Sequence, residues 1–127
     1  SYGETADRYG LIHADLVAEN VLVDNGKLRI IDFDDCGFGW FLFELATSLY
    51  FNINESYFED LESAVIEGYR SVRHLSDEEL EYLPLFMLAR STTYLGWVHT
   101  RAKTKTAEEL TPLLIDMACS VADSYFS

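Results

Sequence analysis

A dense set of polar residues lies in two short segments of the sequence. The first segment contains His13, Asp15 and Asn20, and the second contains Asp32, Asp34 and Asp35. Aspartate and asparagine oxygens are hard ligands of the kind that Mg²⁺ takes in proteins, usually together with substrate phosphates. A carboxylate beside such ligands can accept the proton of a nucleophile near the metal. The residue types therefore indicate metal-assisted phosphoryl transfer.

The sequence between the two segments predicts a β-hairpin that brings them together. Asn25-Gly26 separates two apolar runs and favours a two-residue type I′ turn, in which both central residues need positive φ. This turn would place Asn20 opposite Ile31, beside Asp32, at the open end of the hairpin. Strict alternation aims Asn20 and Asp32 at opposite faces. At least one of them must therefore leave strand geometry if they share a ligand.

Three stretches of sequence around these residues carry motifs. Residues 13–20 read His-Ala-Asp-Leu-Val-Ala-Glu-Asn, residues 31–35 read Ile-Asp-Phe-Asp-Asp, and residues 37–46 read Gly-Phe-Gly-Trp-Phe-Leu-Phe-Glu-Leu-Ala. Together they resemble H-G-D-x-x-x-x-N, I-D-[FWL]-[DE]-[DN] and G-x-G-x-x-x-x-[DE]-L-A of the aminoglycoside phosphotransferase-like kinases, a superfamily that includes aminoglycoside, choline, homoserine and hydroxylysine kinases. Ala14 replaces the usual glycine, which is a mild departure.

The resemblance implies the reaction and the residues that perform it. Asp15 would be the catalytic base for the acceptor hydroxyl, and Asn20 and Asp32 would hold the Mg²⁺ ions that bridge the phosphates of ATP. The protein would then be an ATP- and Mg²⁺-dependent phosphotransferase acting on the hydroxyl of a small molecule, such as an aminoglycoside or amino alcohol. Protein kinases are a weaker match, because Ala14 occupies the arginine position of their H-R-D motif.

Three further residues are implied to support this site. His13 would stabilise the metal loop, residues 31–35, to whose motif Asp34 belongs. Glu44 would be a structural carboxylate that ties its helix to the catalytic loop, residues 13–20. A buried carboxylate is costly unless it is paired or hydrogen-bonded, so exposure of Glu44 would count against that role.

The rest of the sequence predicts a mostly helical α+β fold. Residues 40–51 read as a buried apolar helix, and residues 4–9 read as the last turns of a helix that Gly10 ends. Pro84 either begins a helix or kinks one. Capping boxes, in which Ser or Thr precedes Glu by three residues, predict helix starts at Ser56, Ser76 and Thr106.

The chain of 127 residues is long enough for one domain with its own core. The resemblance covers residues 1–127 as a single domain, the C-terminal catalytic lobe of a protein-kinase-like fold, whose small hairpin carries the catalytic and metal loops. The sequence contains neither a glycine-rich phosphate loop nor the lysine-bearing strand of the N-terminal nucleotide-binding lobe. We therefore expect a fragment that lacks this lobe and is weakly active or inactive alone.

The composition restricts the partners. A net charge of −13 argues against nucleic acid and anionic membranes, and it would attract a cationic acceptor, although a solvated acidic surface also explains it. No apolar run approaches the length of a membrane span, and no signal peptide is recognisable. Cys36 and Cys119 are expected to be free thiols in the cytoplasm.

Two other functions stay open on the sequence alone. A non-catalytic, kinase-derived interaction module would explain the lack of a nucleotide lobe, but such a module has no chemical need to keep Asp15, Asn20 and Asp32. A metal-dependent phosphohydrolase would use Asp32, Asp34 and Asp35, yet the sequence offers it no recognisable nucleophile.

Overall fold

The structure is a computed structural model that describes residues 1–127. Its elements in chain order are β1 Tyr9–Ile12, a 3₁₀ helix Ala18–Asn20, β2 Val21–Asp24, β3 Lys27–Ile30, β4 Gly37–Trp40, α1 Phe41–Tyr50, α2 Phe58–Arg70, α3 Asp77–Leu80, α4 Leu83–Thr100 and α5 Lys105–Phe126. The chain divides into two compact units, Ser1–Leu83 and Pro84–Ser127. The four short strands and five α-helices confirm the expected α+β, mostly helical fold class. None of the helices combines the length and the apolar character that crossing a membrane requires.

Strands β2 and β3 form the hairpin that the sequence predicts. They pair antiparallel in the expected register, with Val21 opposite Ile30. Asn25 and Gly26 have φ angles of 49° and 75°, the positive values that a type I′ turn requires. The local turn chemistry therefore sets the register of the two segments that carry the candidate site residues.

A second antiparallel ribbon pairs β1 with β4, and the sequence analysis did not predict it. The expected helix end before Gly10 is wrong, because Tyr9 and Gly10 lie in β1. The buried helix expected over residues 40–51 is confirmed as α1, which begins one residue later, after Trp40 at its N-cap. The packing of the ribbon depends on glycine. A Cβ atom at Gly10 would lie 2.8 Å from the ring of Phe41, and one at Gly39 would lie 2.5 Å from the side chain of Ile12. Such close approach leaves little periodic signal in the sequence.

Helix α1 provides much of the core of the first unit. Its buried apolar residues are Leu42, Leu45, Ala46, Leu49 and Tyr50. The capping box at Ser76 is confirmed at the start of α3. The Ser76 hydroxyl accepts a hydrogen bond from the N–H of Glu79 at 3.1 Å, and the Glu79 carboxylate accepts one from the N–H of Ser76 at 3.2 Å.

The helices expected after the other two capping boxes are present, but the predicted capping residues are wrong. Helix α2 begins after Tyr57, and no side chain caps it. Successive turns before Phe58 place Ser56 outside the N-cap position. In the second unit, Thr104 caps α5 by accepting a hydrogen bond from the N–H of Ala107 at 3.2 Å. Pro84 lies in the first turn of α4, where its missing N–H costs no hydrogen bond.

Candidate active site

His13 joins the two polar segments. The residue is 7% exposed. Its Nδ1 atom accepts a hydrogen bond from the N–H of Asp15 at 3.1 Å, and its Nε2 atom lies 2.7 Å from the carbonyl oxygen of Ile31. Because Nδ1 accepts, the neutral ring carries its proton on Nε2 and donates it to Ile31. The ring also packs on Phe33, with 4.7 Å between centroids. The histidine therefore connects the catalytic loop to the end of the hairpin.

Asn20 holds the aspartate of the catalytic loop. It lies at the end of the 3₁₀ helix and is 8% exposed. Its Nδ2 atom donates to the backbone oxygen of Asp15 at 2.8 Å and to the Oδ2 atom of the same residue at 3.1 Å. Both bonds use the amide nitrogen, so the Oδ1 oxygen of Asn20 takes no part in them. The Asp15 carboxylate is thereby held beside the open end of the hairpin.

Asp32 turns out of strand geometry directly after the hairpin. The N–H of Ile31 donates to the carbonyl oxygen of Asn20 at 3.0 Å, so the pairing extends one residue past β3. The next residue, Asp32, has a φ of 62° and is exposed. The expectation that Asn20 or Asp32 leaves strand geometry is confirmed for both residues, since Asn20 belongs to the 3₁₀ helix.

Glu44 ties α1 to the catalytic loop. Its carboxylate accepts hydrogen bonds from the N–H of His13, and from the N–H of Ala14 at distances of 3.2 and 3.3 Å to its two oxygens. The residue is half-buried in the first turn of α1, where the helix dipole favours a negative charge. The hydrogen bonds offset the cost of its burial. The contact expected between this carboxylate and the catalytic loop is therefore present.

Asp34 and Asp35 lie in the turn that follows. The N–H of Cys36 donates to the carbonyl oxygen of Phe33 at 3.0 Å, which closes the turn, and both aspartates are exposed. The structure does not bring Asp34 into hydrogen-bonding contact with the residues described above. It also contains no cluster of three or more His, Cys, Asp or Glu side chains that could hold a metal ion. Cys36 and Cys119 are free and exposed.

The backbone at Ala14 has a conformation that suits glycine. Its φ of 72° lies in the left-handed region, which costs an alanine about 1–2 kcal/mol, whereas glycine loses about 0.4–1 kcal/mol more through the entropy of the unfolded chain. We expect Ala14→Gly to raise the free energy of unfolding by roughly 0.5–1 kcal/mol in urea denaturation. Ala18→Gly is the control, because Ala18 has no positive φ and glycine should destabilise it. A stability loss in both variants would contradict the prediction.

The sequence model of the family described as "Phosphotransferase enzyme family" matches residues 3–75, more than half of the 127-residue chain. The chain belongs to this family. Amicoumacin kinase of Bacillus subtilis (strain 168) is 30% identical over 105 residues, which cover 76% of this chain and 31% of that protein. A homoserine kinase of Neisseria meningitidis serogroup B is 40% identical over 79 residues, which cover 59% of this chain and 26% of that protein.

Solved structures of kinases share the fold of this phosphotransferase-family chain. A microcompartment-associated aminopropanol kinase matches with a TM-score of 0.85 and 33% identity, over 98% of this chain and 40% of that chain. Amicoumacin kinase hAmiN, solved with AMP-PNP, Ca²⁺ and Ami, matches with a TM-score of 0.74 and 28% identity, over 94% of this chain and 39% of that chain. The expected kinase-like fold is confirmed. The chain spans 31% and 26% of the length of the two curated relatives named above.

Sequence reasoning missed part of this site. The main acceptor for His13 is the backbone carbonyl of Ile31, and a carbonyl carries no residue-type signal. The positive φ of Ala14 was also missed, although the usual glycine at that position of the resembled motif was a usable signal.

Proposed function

We propose that these residues form the C-terminal catalytic lobe of a kinase that transfers the γ-phosphoryl group of ATP to the hydroxyl of a small molecule. One observation carries the proposal. Asp15, Asn20 and the backbone before Asp32 belong to one hydrogen-bond network at the open end of the hairpin. Membership of the phosphotransferase family supports it.

In this proposal Asp15 is the catalytic base. The acceptor hydroxyl would give its proton to a carboxylate oxygen of Asp15 as its own oxygen bonds to the γ-phosphorus of ATP. The bond from that phosphorus to the bridging oxygen breaks in the same transfer, and ADP leaves with the bond's electron pair. The Oδ2 atom accepts from the amide of Asn20, and the backbone N–H donates to His13. The carboxylate is thus held before the substrate binds, which reduces the entropy lost on reaching the reactive geometry.

Asn20 and Asp32 would hold Mg²⁺ together with the phosphates of ATP. The donor set fits this ion: Asn20 has its Oδ1 oxygen outside its hydrogen bonds with Asp15, and Asp32 is an exposed carboxylate at the same end of the hairpin. Mg²⁺ is usually bound by one or two carboxylates plus substrate phosphates. The ion would neutralise phosphate charge on a chain of net charge −13. The amicoumacin kinase complex with AMP-PNP and Ca²⁺ supports a nucleotide and a divalent ion.

We propose that an N-terminal lobe outside these 127 residues binds the rest of the nucleotide. The named relatives extend far beyond the part that this chain matches. Exposed apolar side chains on the hairpin also support a covering protein surface. They are Leu22, Val23, Leu28 and Ile30, with exposed fractions of 46%, 74%, 70% and 48%. The 127-residue chain alone should then be weakly active or inactive.

An amino alcohol is the acceptor class that we favour. Two of the relatives are kinases named for homoserine and aminopropanol, and both of these molecules carry an amino group and a hydroxyl group. An ammonium group is attracted by an acidic protein surface, and this chain has a net charge of −13. We also propose a cytoplasmic location, which the two free and exposed cysteines support.

Titration calorimetry with Mg²⁺-ATP tests the proposal. The full-length protein that contains this sequence should bind the nucleotide, and Asp32→Ala should weaken binding about tenfold or more through the lost metal ligand. The 127-residue chain should bind weakly. Asp24→Ala is the matched control, because Asp24 is an exposed hairpin carboxylate paired with Arg29 at 3.1 Å. If the full-length protein binds no nucleotide, the kinase proposal fails and the interaction module becomes the better account.

A further inference from the structure

Arg8 and Glu79 form a partly buried ion pair outside the candidate active site. Arg8 Nε lies 2.9 Å from Glu79 Oε1, and the side chains are 29% and 8% exposed. The carboxylates of the other ion pairs are 52% to 97% exposed. Exposed pairs contribute little to stability, whereas a buried carboxylate is costly unless its partners satisfy it. The burial of Glu79 therefore calls for an explanation.

Each partner of the pair is held by further contacts. Glu79 Oε2 accepts a hydrogen bond from the N–H of Ser76 at 3.2 Å, so both oxygens of the carboxylate are engaged. Arg8 donates through Nη1 to the backbone oxygen of Tyr2, and its guanidinium lies 4.6 Å from the centre of the Tyr2 ring. Burial, with a smaller effect of Glu79, raises the pKa of Tyr2 to about 12. The pair thus has one defined geometry in a partly dry environment.

Arg8 also lies where two elements that support the catalytic loop begin. Its carbonyl oxygen accepts a hydrogen bond from the N–H of Phe41, the first residue of α1, at 2.9 Å. Strand β1 starts at the next residue and ends directly before His13. Helix α1 carries Glu44, which accepts the hydrogen bonds of the catalytic-loop backbone. A displacement of Arg8 would therefore move both supports of the loop.

We infer that Arg8 and Glu79 are positioning residues for the catalytic loop, because their ion pair holds the start of β1 and of α1 against the capped end of α3. Neither side chain hydrogen-bonds to Asp15, Asn20 or Asp32, so the pair acts through the backbone. The catalytic meaning of this inference rests on the proposed function. Its structural part, the local order of the loop, can be measured without activity.

A neighbouring ion pair supplies the matched control. Arg70 Nη2 lies 2.9 Å from Asp77 Oδ1, and Asp77 is the first residue of the same helix α3. The Asp77 side chain is 97% exposed. Asp77→Asn and Glu79→Gln each remove one negative charge from the first turn of α3, so their shared effect on the helix dipole cancels in the comparison.

Amide hydrogen exchange in the full-length protein that contains this sequence tests the structural part. Glu79→Gln should speed up exchange of the His13 and Ala14 N–H groups about tenfold relative to the N–H of Leu49 in the core of α1. Asp77→Asn should change this ratio little. Equal acceleration at all three amides would show a purely global role and would overturn the inference. If Glu79→Gln fails to fold, Arg8→Lys replaces it, because lysine keeps the positive charge but lacks the planar guanidinium. The exchange rates of the His13 and Ala14 N–H groups relative to Leu49 then test the inference in the same way.

Kinetics of the full-length protein test the catalytic part. Arg8→Lys should lower kcat about tenfold while the KM for ATP changes little, because the loop geometry and not nucleotide binding is disturbed. An unchanged kcat would overturn this part. An active Asp15→Asn variant together with a selective exchange effect would refute the proposed function and leave the structural positioning intact. An inactive Asp15→Asn variant with uniform exchange would do the reverse.

Discussion

Replacement of Asp15 by asparagine is expected to lower the kcat of the full-length protein by about 10²–10⁴-fold. Asparagine has nearly the same shape and offers an oxygen to the amide of Asn20, which donates to Asp15 Oδ2 at 3.1 Å. It cannot take the proton of the acceptor hydroxyl. The variant therefore separates proton acceptance from loop geometry. Release of ADP in the presence of Mg²⁺-ATP and an amino alcohol acceptor measures the effect.

Two controls accompany the Asp15 variant. Its affinity for Mg²⁺-ATP should stay close to that of the unmodified protein, because Asn20 and Asp32, and not Asp15, are proposed to hold the metal. Asp24→Asn changes an exposed carboxylate near the turn of the hairpin and should leave kcat unchanged. A kcat for Asp15→Asn within about threefold of the unmodified value would rule out a base role for this residue.

Among the variants whose stability is predicted here, removal of the Glu44 carboxylate should lower the free energy of unfolding most. Glu44→Ala leaves the N–H groups of His13 and Ala14 without their acceptor, and His13 is only 7% exposed. Hydrogen bonds to a charged group contribute about 1.5–3 kcal/mol each, so we expect the free energy of unfolding to fall by about 3 kcal/mol. Urea denaturation of the 127-residue chain measures this loss.

Ser48 provides the matched control for Glu44. Its hydroxyl donates to the backbone oxygen of Glu44 at 3.0 Å, one turn further along α1. Ser48→Ala removes one ordinary helix contact and should cost no more than about 1 kcal/mol. If Glu44→Ala destabilises the chain no more than Ser48→Ala does, the carboxylate does not support the catalytic loop as described.

The hairpin and the placement of Asn20 near Asp32 could be predicted because both follow from a short stretch of sequence. Asn25-Gly26 specifies a turn type through the positive φ that both residues adopt, and the turn then sets the register of the paired strands. That register alone brought Asn20 next to Asp32 and required one of them to leave strand geometry. The prediction depended on turn chemistry and alternation, not on distant contacts.

The parts that failed depend on contacts between distant residues. The β1–β4 ribbon depends on the close approach of Gly10 to Phe41 and of Gly39 to Ile12. The pattern of apolar residues along the sequence does not indicate these contacts. Arg8 and Glu79 are 71 positions apart, so no local sequence pattern indicates that they pair. Capping boxes failed at two sites out of three because a Ser or Thr caps a helix only when it occupies the N-cap position, which is Tyr57 in α2 and Thr104 in α5.

The formation of a phosphate ester is the most direct test of the proposed kinase. Phosphorus NMR of the full-length protein with Mg²⁺, ATP and an amino alcohol should show a new phosphomonoester signal that grows in step with ADP. The signal should need Mg²⁺ and be lost in Asp15→Asn. Inorganic phosphate forming with no ester would contradict the account and favour a phosphohydrolase. If a folded protein forms neither product with any of a range of amino alcohols, the result would favour a non-catalytic module.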